Sequence, residues 1–305
     1  MGSIDVGRVG IWTGVLDQLP SSEAVEWVIE AEQLGYGAVW IPEAVGRDPF
    51  VAATRLLGGT STVKIATGIA NIYARDPMTT ANAQRTIAEA FPGRFLLGLG
   101  VSHQHLVEHL RKHEYSKPLS HMREYLERMR KARYMAVGPQ ELPDIVLAAL
   151  GPKMLELAAT AAVGAHPYFV PPEHTAIARA AMGPDAALYP EQMAVLDTDA
   201  ESARATARSA MAIYLGLANY ADNLLRLGFT ADDVGGGPDG GPSDRLVDAI
   251  VVWGTVDDVA ARVRAHFDAG ADHVCVQVLA DDTAGVRRGW KELAPALTGP
   301  ATGVY

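Results

Sequence analysis

The sequence predicts an α/β fold, a single (β/α)8 TIM barrel spanning residues 1–305, and three observations lead there. Short β-rich runs alternate with helical stretches in a regular beat, the pattern of a parallel sheet with crossover helices. Eight such runs can be counted, and eight strands close a barrel. Hydrophobic residues make up 49% of the chain and charged residues 20%, the mix of a sequence able to bury a large core. Length alone, 305 residues, leaves one large domain or two ordinary ones open.

In chain order the runs are RVGIW (8–12), AVWI (38–41), KIATG (64–68), FLLGLG (95–100), DIVLAA (144–149), AHPYFV (165–170), QMAVLD (192–197) and HVCVQVL (273–279). Between the first two, Ser21 to Leu34 reads as a helix: Ser21 or Ser22 caps it, apolar residues recur at helical spacing and Gly35 stops it. The turn Gly35-Tyr36-Gly37 into the second run is echoed before the last by Asp268-Ala269-Gly270-Ala271-Asp272, as expected of repeated βα units. Two segments break the beat: the polar, His-rich stretch 101–120 after the fourth run, and 216–247, with GGGPDGG at its end, between the seventh and eighth. Long irregular segments in a compact barrel are usually lids or binding loops, so 216–247 is expected to be part lid and part oligomer surface. The tail 298–305 is expected to be flexible.

Charge narrows the partners. With 26 basic and 36 acidic side chains the formal net charge is −10, and no basic run occurs, so neither nucleic acid nor an anionic membrane is an expected partner. The single cysteine, Cys275, cannot form an internal disulfide and lies in an apolar run, where it reads as core. No leader-like segment and no stretch of 18 apolar residues is found, which points to a cytoplasmic chain.

Barrels of this kind take their catalytic groups from strand C-termini, and the candidates are therefore Thr13, Gly14, Glu43, Gly68 to Asn71, Ser102, His103, Leu150 to Lys153, His166, Tyr168 and Gln277 to Asp281. Gly151-Pro152 leads into a helix near Lys153. Its free N–H groups and positive end suit a phosphate; the same residues also describe a plain β-to-α turn with Pro at the first helical position. His105, His109 and His113 would share one helical face, but no Cys or HExxH pattern accompanies them, so no metal site is predicted and a solvated face is the simpler reading. His103 stands apart at a strand mouth, where it could exchange a proton.

The run TGIANIYARDPMTTANAQRTIAEAFPGRFLLGLGVSH, residues 67–103, resembles the luciferase-like monooxygenase superfamily and, more narrowly, its coenzyme F420-dependent oxidoreductases. The matching places are Gly68 and Ile69, Arg75 and Pro77, and Pro92 to Phe95; AALGP and GADHVCVQ extend the resemblance over about residues 10–297. The resemblance implies a non-prolyl cis peptide at Gly68-Ile69 behind a deazaflavin ring, Asn71 at the ring's polar edge, and a cofactor phosphate held by Ala149, Leu150, Gly151, Pro152, Lys153 and Met154. Ser102 and His166 join the implied cofactor contacts. Glu43 falls where relatives often carry an acid, but Ala44 replaces the histidine that some sugar-phosphate dehydrogenases of the family place beside it. His103 stands where those enzymes have a catalytic glutamate, and is the compensating acid of choice. His166 and Tyr168 replace an Asp-Gly found in many members, which narrows the pocket or packs as an aromatic cluster.

The implied function is two-electron oxidoreduction: hydride passes between F420 and a small organic substrate, with His103 or Glu43 handling the proton. Alternatives are a reduced-FMN monooxygenase, a metal-dependent hydrolase using His103 and His166, and a non-catalytic flavin-binding homologue. Trp12, Trp40, Tyr73 and His166 would line a pocket for a hydrophobic substrate. The resemblance also implies a homodimer.

Overall fold

The computed structural model describes residues 4–237 and 240–299. The expected parallel sheet is present. It is built from β1 (Val9–Trp12), β2 (Ala38–Ile41), β3 (Lys64–Thr67), the short β4 (Ala70–Asn71), β5 (Phe95–Gly100), β6 (Ile145–Leu147), β7 (Gly164–Ala165), β8 (Ala187–Leu188), β9 (Glu191–Val195), β10 (Val251–Trp253) and β11 (Val274–Val278). Neighbours follow the order β10-β9-β11-β1-β2-β3-β5-β6-β7-β8, with β4 on β5, and every pairing is parallel. β8, at one end of this path, and β9, next to the other end, belong to one run, 187–195, interrupted only at Tyr189-Pro190. Its first half pairs with β7 and its second with β11, so the ladder returns on itself as a TIM-type barrel requires.

Helices α1 (Ser21–Gln33), α2 (Pro49–Gly59), α3 (Pro77–Ala90), α4 (Pro118–Arg130), α5 (Pro152–Ala161) and α6 (Pro172–Met182) cover the first strands. After β9 come α7 (Ala200–Leu215), α8 (Ala218–Arg226), α9 (Ala231–Gly235) and α10 (Asp244–Ile250), then α11 (Val256–Asp268) and α12 (Thr283–Leu297). Proline opens α2 to α6 at a position whose N–H has no helical partner, with φ already set for a helix. Asp48, Asp76 and Asp199 cap α2, α3 and α7 by accepting first-turn amides, while Thr255 and Asp258 form a reciprocal capping box on α11.

Apolar residues on the outer strand faces pack under the helices: Val9, Ile11, Val39, Ile41, Ile65, Leu97, Leu99, Val274 and Val276. The inward faces carry Trp40, Leu96, Val146, Tyr189 and Cys275, joined at one end by Tyr220 and Leu224 of α8. Cys275 is fully buried, in the expected core position.

Several boundaries differ from the sequence reading. Pro20, not Ser21 or Ser22, stands at the N-cap of α1, and its carbonyl accepts the Ala24 amide. The run 165–170 is a strand only at Gly164–Ala165, because Pro167 has no amide to donate and Phe169 takes a left-handed φ of 62°. Its loss bares one edge of β9, which β10 fills; the sequence reading had no strand there. The stretch 216–247 is largely helical, comprising α8, α9 and most of α10. Thr298 is not frayed: it is the C-cap of α12 and its hydroxyl donates to Leu34 O at 2.6 Å. Residues 300–305 of the expected tail lie outside the described residues.

A close inward approach joins β3 to β5. Thr67 Oγ1 donates to Gly98 O at 2.7 Å and accepts from Gly98 N at 2.8 Å, and a Cβ on Gly98 would lie 2.0 Å from the Thr67 carbonyl oxygen. Overpacking of this kind costs about 1–3 kcal/mol. Gly98→Ala should therefore lower the urea midpoint by that order, whereas Gly93→Ala, where a Cβ meets nothing within 4 Å but φ is +68°, should cost less, about 1 kcal/mol.

Candidate functional site

The C-terminal ends of β1, β2 and β3 meet at a shelf formed by residues 68–71. The Gly68-Ile69 peptide is cis. Trp12 Nε1 donates to Gly68 O at 3.2 Å, and the Glu43 amide donates to Ile69 O at 3.2 Å. Beneath the shelf, Gly100 leaves room for the Ile69 side chain; a Cβ there would lie 2.3 Å from Ile69 Cδ1. Asn71 is buried, and its Oδ1 accepts the Tyr73 amide at 2.8 Å.

Glu43 is an anchor of this shelf. Its carboxylate accepts from Asn71 N at 2.8 Å and Arg75 Nη1 at 2.9 Å, with Arg111 Nη2 at 3.5 Å, and it is only 6% exposed. A carboxylate with these partners is committed as an acceptor. Arg75, quoted within the resembling run, also reaches Asp48 at 2.5 Å, and neither arginine had been paired with Glu43 from sequence.

His103 follows Ser102, whose φ of 57° turns the chain at the mouth. The imidazole packs at 5.4 Å from Tyr220, and Nδ1 lies 2.8 Å from Asn219 Oδ1, so Nδ1–H is the donor and Nε2 the open acceptor. Desolvation lowers its pKa, against an opposing push from the Asn219 bond, and the ring is neutral near pH 7. His105 and His109 stack at 4.8 Å as exposed residues of a different stretch, and His113 is exposed as well. Among the described residues, no group of three or more His, Cys, Asp or Glu is placed to hold a metal.

Across the mouth, Gly151 is the N-cap of α5 and offers no side-chain cap; Pro152 has no N–H and the Met154 amide donates to Gly151 O at 3.1 Å, which leaves the Lys153 amide as the first-turn donor without a partner among the described residues. Pro152 and Lys153 are exposed and Met154 is half-buried. Leu150 O accepts from His174 Nε2 at 2.9 Å, and Ala149 is buried. A Cβ on Gly151 would find only Arg226 Nη2, at 3.8 Å. This second cation comes from α8, more than seventy positions along the chain, and no local motif announces it.

His166 and Trp40 do not line an open pocket. Both are buried, the rings stack at 4.5 Å and 18°, and His166 Nδ1 donates to Tyr189 O at 2.7 Å. Tyr73 stacks instead on His121 at 4.7 Å. Tyr168 realises the packed aromatic cluster: it contacts Trp12 at 4.8 Å and Tyr220 at 6.1 Å, and its hydroxyl lies 2.7 Å from Tyr214 Oη and 2.8 Å from Gln277 Oε1. Beside that cluster a cavity of about 650 Å3 opens between the ends of β1 and β11 and α7. Trp12 borders it, but Trp40, Tyr73 and His166 do not.

Below the mouth the interior holds ionisable groups in their neutral forms. Burial pushes the Glu191 carboxyl up to about 8, against one Phe169 amide bond at 3.2 Å. Burial likewise pushes His166 and His273 down to about 4, and His266 to about 3 with help from Arg262.

The fold thus defines a class, a parallel TIM-type barrel with a polar mouth. It resembles an F420-dependent secondary alcohol dehydrogenase in complex with an F420-acetone adduct, with a TM-score of 0.76 over 95% of this chain and 98% of that one at 16% identity. It also resembles the FMN-bound oxygenating constituent of 3,6-diketocamphane monooxygenase from Pseudomonas putida, with a TM-score of 0.66, 15% identity and coverage of 95% and 98%. In sequence it is 29% identical to the 5,10-methylenetetrahydromethanopterin reductase of Archaeoglobus fulgidus, over 88% of this chain and 93% of that protein. The profile of the luciferase-like monooxygenase family matches residues 8–273, and the chain belongs to that family.

The interior groups make stability pH-dependent in two directions. The folded-state pKa of Glu191 lies above its ordinary 4.5, so its contribution is undiminished below 4.5 and is lost as pH rises toward 8. The three histidines lie below 6.5, so theirs is present above 6.5 and is lost as pH falls toward 4. Urea midpoints measured across pH 4.5–8 should peak near 6.5, and Glu191→Gln should flatten the alkaline limb and steepen the acid limb, because the Glu191 loss spans the whole window from 4.5 to 8.

Proposed function

We propose that this chain is a coenzyme F420-dependent oxidoreductase acting on a small organic substrate. The observation that carries the reading is the seat at α5: a helix start with no side-chain cap, the Lys153 amide, and the Lys153 and Arg226 cations beside an open Gly151. An amide at a helix start together with two cations suits a phosphate, and the shelf 68–71 lies across the mouth to bound a flat ring. When bound, F420 would supply a two-electron hydride carrier. Gly68, Ile69 and Asn71 would meet its ring, with Ser102 and His166 as the flanking and backing groups, and Ala149 to Met154 would hold the phosphate portion.

Of the two proton-handling candidates, His103 is the one whose geometry suits the task. Its Nε2 is free and its ring neutral, whereas Glu43 is occupied by two arginines and an amide. His103 therefore accepts a proton from an alcohol, or returns it to a carbonyl oxygen once charged. Trp12 and the Tyr168 cluster shield the mouth from water. A homodimer in the cytoplasm completes the reading. A second reading, a reduced-FMN monooxygenase, is favoured by the FMN-bound neighbour of the same fold.

Fluorescence titration with F420 and with FMN distinguishes the two, and failure to bind either would sink both. Lys153→Ala should weaken F420 binding by roughly tenfold, the scale of one charge-assisted contact, while affinity for the phosphate-free deazaflavin chromophore stays unchanged. His103→Asn should lower kcat by about 100-fold or more with F420 affinity intact. In the wild type, the alcohol-oxidising kcat/KM should rise with pH through a value below 6.5, and this limb should vanish in the variant.

A further inference from the structure

The cavity of about 650 Å3 is separate from the residues assigned to the cofactor: its lining includes none of Gly68 to Asn71 and none of Ala149 to Met154. Trp12 stands between the two regions, bordering the cavity while its Nε1 is bonded to Gly68 O. The volume is of the size that holds a drug-sized organic molecule. Among the described residues its charged lining side chains are Asp281 and Asp282, with no Lys, Arg or His beside them. Tyr214 and Gln277 supply polar atoms at one wall, tied together through Tyr168 Oη. Because Tyr168 engages Gln277 at Oε1, the Nε2 donors remain for a ligand; among the described residues they have no protein partner.

We propose that this cavity is a ligand-binding pocket beside the cofactor seat and that it takes an uncharged or cationic organic molecule carrying a carbonyl or hydroxyl oxygen, held by Tyr214 and Gln277, while carboxylates and phosphates are repelled by Asp281 and Asp282. The charge selectivity follows from the lining itself. An anion entering here would lose hydration and meet two carboxylates with no cation to offset them. A cation would meet those same carboxylates and the face of Trp12. A neutral carbonyl compound needs only donors for its oxygen and an apolar wall, which Gln277, Tyr214, Trp12 and Val278 provide.

The test uses the full chain, with and without F420, and three probes of one shape: benzaldehyde, 4-carboxybenzaldehyde and 4-(trimethylammonio)benzaldehyde. Binding is read by saturation-transfer NMR. The neutral and cationic probes should bind and the carboxylate should bind at least roughly tenfold more weakly, the scale of one unfavourable charge contact in a partly shielded site. Asp281→Asn with Asp282→Asn should close that gap; asparagine at 282 keeps the helix cap that Asp282 provides to Gly285 N. Ala210→Trp, which fills the cavity from α7, should abolish binding of all three while F420 affinity is unchanged. Equal binding of the carboxylate, or benzaldehyde binding that survives Ala210→Trp, would overturn the proposal. F420 binding without any probe binding overturns the pocket alone. Probe binding with the stated selectivity but without F420 binding supports the pocket and overturns the cofactor reading.

Discussion

Everything at the mouth depends on β5 having no side chains where β3 crosses it. Gly98 lets the Thr67 hydroxyl close a two-way hydrogen bond with the neighbouring backbone, and Gly100 receives the Ile69 side chain. With β3 drawn in at Thr67 and filled in at Ile69, residues 68–71 are placed where Trp12 bonds from one side and Glu43 from the other. Two absent Cβ atoms thus set the position of a tryptophan, a carboxylate and two arginines. Buried backbone must find partners, and here the partners it finds are the side chains that form the site.

Below that level the barrel interior is unusual for the number of titratable groups it shelters. His273 accepts from Trp40 Nε1 at 3.1 Å through Nε2 and donates to Gly7 O at 2.8 Å through Nδ1, so its neutral tautomer is fixed by both neighbours. His166 has Tyr189 O at 2.7 Å and Cys275 Sγ at 3.8 Å, both on Nδ1, and its Nε2 has no partner among the described residues, close behind Gly68. Glu191 is similar, with Oε2 taken by Phe169 N and Oε1 unpartnered. Neutral forms are the only ones such an interior tolerates, since an unpaired charge there would forfeit its hydration. These groups consequently shape how the fold responds to acid and base as much as they shape packing.

Period and punctuation made the sheet readable: the strands at 9–12, 38–41, 64–67, 95–100, 145–147 and 274–278 fall within the runs seen in sequence. The reading failed where local pattern competes with tertiary context. AHPYFV looks like a strand, but Pro167 and the backbone at Phe169 take it out of the ladder, and VVW at 251–253 was too short to stand out until β9 offered an open edge. At the site, the resemblance located the stretch 67–103 and the α5 turn. It could not show that Glu43 is consumed by Arg75 and Arg111, or that His166 and Trp40 stack on each other out of reach of solvent. Those outcomes are pair interactions between distant positions, and a single sequence encodes the partners without naming the pairing.

Helix α8 carries Asn219 at His103, Tyr220 against Tyr168, and Arg226 beside Gly151, all within nine residues. A nine-residue helix moves as one rigid rod. Drawing Arg226 toward an anion at α5 therefore also shifts the group that orients the imidazole and a wall of the aromatic cluster. The three contacts therefore cannot be adjusted independently of one another.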